Sequence, residues 1–497
     1  MEVDYLSPTQ HSRNQRCLPN RGQVLQLQDI EPSPERVELA RGAFEVLFPR
    51  LAGQRRDADA VDSWLKPETT RGFRVPPKAS REHRALADLA RTPWLGLVVT
   101  NITQAMFVDS IVSEDGDAKE LWRLWMDNGM SGHQIANHRA MVSYGQSFGL
   151  VLPAEMNGAS SARIRCLSPR RMAVGWADAA TDPYPIFALE ALSADDDGEQ
   201  WRLYDDECVY WLSTSRGVDE PLVHRVQWHG TGVTPVVRFA NHLDLDGNVV
   251  GEVEPFIPTA ARINKTSYDR LLAQHFNSWK VRTIAGIDLP EESEDPVADE
   301  AALERQKLKL SQEDILMSED PDTKFGTLDG TNLDNFVNSW RSDIEALAAV
   351  SQTPAHALTG QLVNLNAEAL AAARAPLTQK VFERQVSAAS SYARLLRLAA
   401  SMAGLNELAA DPMVRVTWQD MEIRSMSQAV DALGKAAQML DIPKQALWGR
   451  IPGVERSDVQ EWERLYEEEQ ANDPLNSLVK RHSSSTAVPV GDDGVEG

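Results

Sequence analysis

The chain has 497 residues, 42% hydrophobic and 25% charged, enough to bury several cores and to form roughly two to four domains. Its formal net charge of −23, from 73 Asp and Glu against 50 Lys and Arg, argues against a protein that grips nucleic acid by its phosphates. No run approaches the roughly 20 apolar residues that span a bilayer, the amino terminus lacks a charged segment followed by an apolar one, and Cys17, Cys166 and Cys208 are too scattered for a disulfide framework or a CxxC zinc site, so a soluble, unexported chain in a reducing compartment is expected, with all three cysteines as packing residues.

Residues 1–33 carry Pro, Gln, Asn and Arg without periodicity and are expected to form a poorly ordered arm. Over 34–51, Val37, Ala40, Ala43, Phe44 and Leu47 recur at helical spacing and Pro49 stands near the expected end. Residues 95–108 are almost wholly apolar and predict a core helix. Between Phe148 and Phe239 the period changes to short β-rich runs, FGLVL, ARIRCL, RMAVGW, WRLY, CVYWL and PVVRF, broken by Pro, Gly and Asp. Helices on either side of a β-rich middle predict an α+β domain whose sheet comes from one sequence block.

Pro258 suits a first helical turn, and Ile263, Leu271, Leu272, Phe276 and Trp279 trace one face of a helix roughly 30 Å long. From 288 to 322 there are thirteen Asp and Glu against three Lys and Arg, interrupted by Pro290, Pro296 and Pro321, which predicts a solvated insert. A second helix follows from about Asn332, with Leu333, Phe336, Val337, Trp340, Ile344 and Leu347 on its apolar face, and Pro354 ends it. Such a helical hairpin leaves apolar surface short of partners unless copies of the chain pack side by side. Residues 366–403 are Ala- and Leu-rich, with Pro376 an expected kink and Gly404 an expected C-cap. Helices are predicted over 425–440 and 456–470, and a disordered tail after them.

Gly145-Gln146-Ser147-Phe148-Gly149 fits GxSxG, the serine hydrolase signature. A nucleophile elbow needs a strand entering and a helix leaving, whereas here HQIANHRAMVSY reads as helix and FGLVL as strand, so Ser147 is expected to be structural. The stretch Asp244-Leu245-Asp246-Gly247-Asn248 places Gly at position 4 rather than position 6 of a calcium loop and predicts a turn between two strands. His133 and His138 are one position off the spacing that puts two metal ligands on one helix face. The acidic run 288–322 lacks flanking apolar strands to fix its carboxylates. No GxxxxGK[ST] loop and no GxGxxG after a predicted strand is present, so no ATP-driven motor, metal or cofactor is expected.

Several segments resemble, in the same order, the portal proteins of long-tailed double-stranded-DNA phages: WLGLVVTNITQAMFVDSI from Trp94 to Ile111, MVSYGQSFGLVL, Leu167-Ser168-Pro169-Arg170-Arg171-Met172, and GVTPVVRFAN from Gly232. The resemblance continues in Ile263-Asn264-Lys265-Thr266, in the segment from Trp340 to Leu358, and in Trp418-Gln419-Asp420 with Arg424-Ser425 and Ala429-Val430-Asp431-Ala432. The loop sequence from Asn366 to Leu370 and the presence of Pro376 depart from the family pattern.

The resemblance implies a ring of identical subunits, dodecameric in that family, at one capsid vertex, with no enzymatic activity. It implies an α+β portal fold: a flexible arm (1–33), a wing (34–255), stem helices (256–283 and 331–353), an acidic clip (284–330), a tunnel loop (354–370), a long helix returning through the wing (371–424), a helical crown (425–471) and a disordered tail (472–497). Implied partners are the terminase large subunit, the head–tail connector, the major capsid and scaffold proteins, and double-stranded DNA held weakly and without sequence preference; no membrane is implied. The virion is the implied location, and the host cytoplasm during assembly. By position, Gln361, Asn364 and Asn366 are expected at the channel constriction, and Arg262, Lys265 and Arg270 on a stem face touching DNA or an adjacent subunit. The rival expectations are a serine hydrolase using Ser147 and a head scaffold protein that forms no ring.

Overall fold

The computed structural model describes residues 26–66, 80–156, 158–194, 198–215, 220–278, 282–285, 324–327, 332–360, 367–419, 426–451, 454 and 456–472. Contacts divide the chain into two compact units, Met1–Thr417 and Trp418–Gly497. Of the sequence expectations, most of the arm, the acidic run 288–322, the loop residues Gln361, Asn364 and Asn366, and the tail from 473 lie outside the described residues.

In the first unit, the first described element falls within the expected arm: β1 (Gln28–Ile30) is an edge strand. It pairs antiparallel with the strand Leu222–Trp228, almost 200 positions later, and Arg225 Nε donates to Asp29 Oδ1 at 2.6 Å across that junction. Helix α1 (Pro34–Leu65) begins where the Ser33 side chain accepts from Arg36 N and Pro34 fills the first turn. It runs straight through Pro49 instead of stopping near 51. An interior proline costs about 3 kcal/mol, but Ala40, Phe44, Leu47 and Leu51 before and around it and Ala58, Val61 and Trp64 beyond it lie on one buried stripe, and that burial outweighs the lost backbone bond.

Next come α2 (Arg81–Leu89) and α3 (Trp94–Thr103); the apolar segment expected to be helical to 108 ends five residues earlier, and Val108 opens β2 (Val108–Ser113), which turns into β3 (Gly116–Asp117). Helices α4 (Lys119–Asp127) and α5 (Met130–Tyr144) lead into the β-rich block: β4 (Gln146–Met156), β5 (Ala159–Leu167), β6 (Met172–Gly175), β7 (Phe187–Ala194), β8 (Gly198–Tyr204), β9 (Cys208–Ser215), β10 (Leu222–Trp228) and β11 (Val236–Ala240).

This block builds two sheets rather than one. The larger is antiparallel in the order β1-β10-β9-β8-β7-β6, and the smaller has the order β11-β4-β5. The strand alternation explains the division: Leu189, Trp201, Leu203, Tyr210, Leu212 and Val226 pack under α1, whereas Ala188, Tyr204 and Val209 point the other way, onto Phe148, Leu150, Leu167 and Val236 of the smaller sheet.

The chain then enters α6 (Ile257–Ser278), β12 (Arg282–Ala285), β13 (Lys324–Thr327), α7 (Asp334–Ser351), the short α8 (Ala355–Thr359) and α9 (Ala367–Met402). The 36-residue α9 continues through Pro376, where the sequence predicts a kink. It lies across the smaller sheet: Ser387 and Ser391 donate to the Ala240 and Arg238 carbonyls at 2.7 Å, and Leu395 presses on Gly149, where a Cβ would come within 2.6 Å of Leu395 Cδ1. Gly404, at φ +78°, ends it as a left-handed cap, as its sequence predicts. After α10 (Asn406–Ala410), β14 (Arg415–Trp418) joins β2 and β3 in a third sheet.

The second unit, by itself, contains α11 (Met426–Met439), α12 (Gln445–Trp448) and α13 (Arg456–Asn472). Trp448 packs edge-on to Trp462 and Tyr466. The two longer helices fall where the periodicity predicts them.

Candidate channel segment

Helices α6 and α7 form the hairpin expected from their paired apolar faces. Arg262 Nε donates to Asp343 Oδ1 at 2.8 Å, and Thr266 Oγ1 donates to Asp343 Oδ2 at 3.1 Å. One turn further along α6, the Arg270 guanidinium sits 5.3 Å above the Trp340 ring. As the number rises in α6 it falls in α7, so the two helices run antiparallel. At the far end, β12 pairs antiparallel with β13, Arg282 opposite Thr327 and Ala285 opposite Lys324. The chain therefore leaves α6 and re-enters α7 through a two-stranded ribbon, and residues 286–323 fall between its strands.

The apolar side of this hairpin is covered in part from within the chain, which corrects the expectation that it lacks partners. Tyr268, Leu271 and Leu272 pack with Leu86, Ala87 and Ala90 from α2 and its C-terminal end. Trp94 at the start of α3 meets Trp340 edge-on at 6.1 Å, and Asn264 exchanges hydrogen bonds with the Thr92 backbone at 3.3 and 3.4 Å. In α7, Ile344 and Leu347 are buried, while Val350 is 57% exposed. The signal for the α2 contact was absent from the hairpin itself, because α2 lies about 180 positions upstream.

The three cations expected on a stem face are all engaged inside the chain. Arg262 bridges the two helices to Asp343, Lys265 pairs with Asp269 one turn on and approaches the Tyr268 ring, and Arg270 stacks on Trp340. Arg262 and Lys265 remain about half exposed.

Below the hairpin lies a charge cluster that sequence reasoning missed. Glu252, in the loop before α6, accepts from Lys380 Nζ at 2.7 Å and from Arg384 Nη2 at 2.9 Å, both on α9, and Lys380 also donates to the Ser351 carbonyl at the end of α7. All three side chains are at most 10% exposed. Burial alone would raise the Glu252 pKa, but Lys380 and Arg384 outweigh it and hold the carboxyl below its usual value. The available signal was the placing of Lys380 and Arg384 at i and i+4 on the stripe that continues through the buried Ala388, Ser391 and Leu395.

The GxSxG serine has the opposite of an elbow's geometry: it lies in the second position of β4, directly after α5, and is fully buried. Its hydroxyl donates to Asn137 Oδ1 at 2.8 Å; Asn137 Nδ2 in turn reaches Tyr392 OH at 3.4 Å. The Met106 carbonyl can only accept, so His138 Nδ1 carries the proton and donates to it at 3.0 Å, leaving Nε2 to accept from Tyr392. Burial lowers the His138 pKa to about 4, against the pull of that backbone bond. The histidine is locked neutral inside the packing, not poised beside an accessible nucleophile. His133, by contrast, is exposed. Asp244 accepts from the Asp246 and Asn248 amides and closes the expected turn between the bridged Leu243 and Val249. Among the described residues no helix is long and apolar enough to cross a membrane, and no group of three or more His, Cys, Asp or Glu is placed to hold a metal ion.

The model of the family described as "Phage portal protein, SPP1 Gp6-like" matches residues 53–475. The chain belongs to that family. It is accordingly a phage portal protein, a structural component of the capsid vertex. Among solved structures, a chain from "Neck of native GTA particle computed with C12 symmetry" is similar, at 13% identity and a TM-score of 0.43, covering 76% of this chain and 98% of its own. No curated protein matches.

Proposed function

We propose that identical copies of this chain, twelve of them, assemble into a ring around a central channel through which the genome enters the capsid and later leaves it. The observation that carries this reading is the match to the portal family over residues 53–475, within which the α6–α7 hairpin brackets the acidic stretch. In this reading the hairpin is the stem, residues 284–330 the clip, and residues 354–370 the tunnel loop, with Gln361, Asn364 and Asn366 facing the lumen.

The net charge of −23 supports a passage rather than a grip, because every tight phosphate contact would become a barrier to the next step of a moving duplex. Contact with double-stranded DNA is weak and independent of sequence. The carboxylate-rich segment offers the basic surfaces of the terminase large subunit, and afterwards of the head–tail connector, an electrostatic target. Capsid and scaffold proteins surround the ring as it forms in the host cytoplasm. The chain carries out no chemistry of its own: the ring is a conduit and a joint.

Negative-stain images of the purified chain test the proposal. Rings with a central hole about as wide as a DNA duplex support it, whereas single copies by light scattering at micromolar concentration, with no ring in the images, refute it.

A further inference from the structure

Glu190 on β7 is completely buried, and three guanidiniums converge on it: Arg165 Nη2 at 2.6 Å from β5 of the smaller sheet, Arg171 Nη2 at 3.7 Å from the turn between the sheets, and Arg202 Nη1 at 3.9 Å from β8. Tyr204 OH donates to its other oxygen at 2.6 Å. Among the described residues Glu190 is the one carboxylate that forms an ion pair with these arginines, three cations to one anion, near the edge strands β5 and β6 of the two sheets. The guanidiniums reach the surface, with Arg171 47%, Arg165 28% and Arg202 21% exposed.

The strand register extends this patch. Across one face of the larger sheet, Glu190 stands opposite Arg202, Arg202 opposite Trp211 and Trp211 opposite Arg225, whose own charge is matched by Asp29. The Arg202 guanidinium lies 3.9 Å above the Trp211 ring, and Trp211 Nε1 is fixed to Gln227 Oε1 at 3.0 Å. Arg163 is exposed and shares the Arg165 side of β5 by alternation. Within a chain of net charge −23, this is a cationic, aromatic-backed face whose forks are held in place before anything binds.

We infer that the Arg165–Arg171–Arg202 cluster is an inter-subunit contact that receives acidic side chains of a second copy of this chain. The inference rests on the ring reading. Like-charged guanidiniums gathered over one carboxylate repel each other, and a further carboxylate arriving from outside relieves that repulsion while gaining fork-shaped hydrogen bonds. A neighbouring copy supplies carboxylates in abundance, since its 73 acidic residues outnumber 50 basic ones. Copies this acidic repel one another overall, so a closed ring needs local sites of opposite sign, and a head-to-tail ring pairs two different patches of the same surface. DNA is the weaker fit: arginines already fixed to Glu190 and Trp211 suit a permanent, shape-defined contact, not a polymer in transit.

The test compares full-length wild type, Arg171→Met and Arg171→Glu by light scattering over a concentration series at low and high salt, with thermal melts to establish that each is folded. Arg171 is chosen because it is the most exposed of the three, and Arg165 and Arg202 still face Glu190 without it. Expected is a rise of about tenfold or more in the concentration needed for assembly in Arg171→Glu, equivalent to at least about 1.4 kcal/mol, with Arg171→Met between it and wild type. High salt weakens wild-type assembly in the same direction. Folded Arg171→Glu protein that assembles like wild type overturns the inference and leaves the ring reading intact, as does a variant whose only change is weaker retention of a duplex DNA probe. Wild type that stays a single copy at every concentration removes the ring reading and this contact with it.

Discussion

Lys380 Nζ lies 2.7 Å from Glu252 Oε2 and 2.9 Å from the Ser351 carbonyl, so one ammonium ties the loop before α6 and the last turn of α7 to α9. Both hairpin helices are thereby fixed at their roots to the element that crosses the smaller sheet. Removing one member of a buried ion cluster costs about 3–5 kcal/mol, chiefly because its partners stay buried without compensation. Lys380→Met leaves the Glu252–Arg384 pair balanced; Glu252→Gln leaves two buried cations facing each other. The expected order of destabilisation is therefore Glu252→Gln above Lys380→Met, measured by urea unfolding midpoints. The reverse order removes charge balance as the reason for the cluster.

Ser147→Ala separates the structural serine from a nucleophilic one. Losing the bond to Asn137 Oδ1 leaves that buried oxygen with an unmet acceptor and is expected to cost about 1–3 kcal/mol. Ester hydrolysis by the purified protein is expected to be at background in both forms. Hydrolysis present in wild type and abolished in the variant, with an unchanged melting temperature, contradicts this placement.

Elements whose evidence is local were legible in the sequence. The switch from helix to strand at Gly145, the strands from Phe148 to Phe239, and the hairpin helices with their acidic interval follow from period and punctuation alone. What stayed hidden depends on partners far along the chain: β1 has only three residues and exists because β10 offers an open edge, and β14 completes a sheet begun some 300 positions earlier. Pro49 misled for a related reason: it removes a backbone donor, which reads as a helix end, but the buried residues that hold α1 on both sides of it are visible only in the packing. The role of Lys380 and Arg384 emerges only once Glu252 is brought to them from 128 and 132 positions away.

Acid is expected to destabilise the first unit between about pH 6.5 and pH 4. His138 and His229 are both buried, and burial lowers each to about 4, so the native state refuses protons that the unfolded chain accepts below 6.5. Stability is lost as pH falls through that window, on the order of 3 kcal/mol per histidine by the lower end. Asp205 works the other way: burial raises it to about 6 against the bonds from Tyr210 and the Cys208 and Glu207 amides, so it takes up a proton in the native state first. Two histidines outweigh one such aspartate. Denaturant melts at pH 7.0, 5.5 and 4.5 check the sign, and replacing His138 by Gln is expected to flatten the profile.

Gly251 sits where two stretches of backbone nearly touch. A Cβ there would come within 2.5 Å of the Ser143 carbonyl oxygen and 2.8 Å of Gly145 N, and neither can swing aside as a side-chain tip can. The same approach lets Glu252 N donate to the Val142 carbonyl at 2.8 Å, which aims the Glu252 carboxylate at Lys380 and Arg384. Gly251→Ala is therefore expected to cost about 2 kcal/mol or more through strain, and to do so partly by pulling Glu252 away from its cations. Combining it with Lys380→Met should then destabilise by less than the two single changes added together, because the clasp can be lost only once. Strict additivity in unfolding free energies shows that the glycine acts on packing alone and has no part in placing the carboxylate.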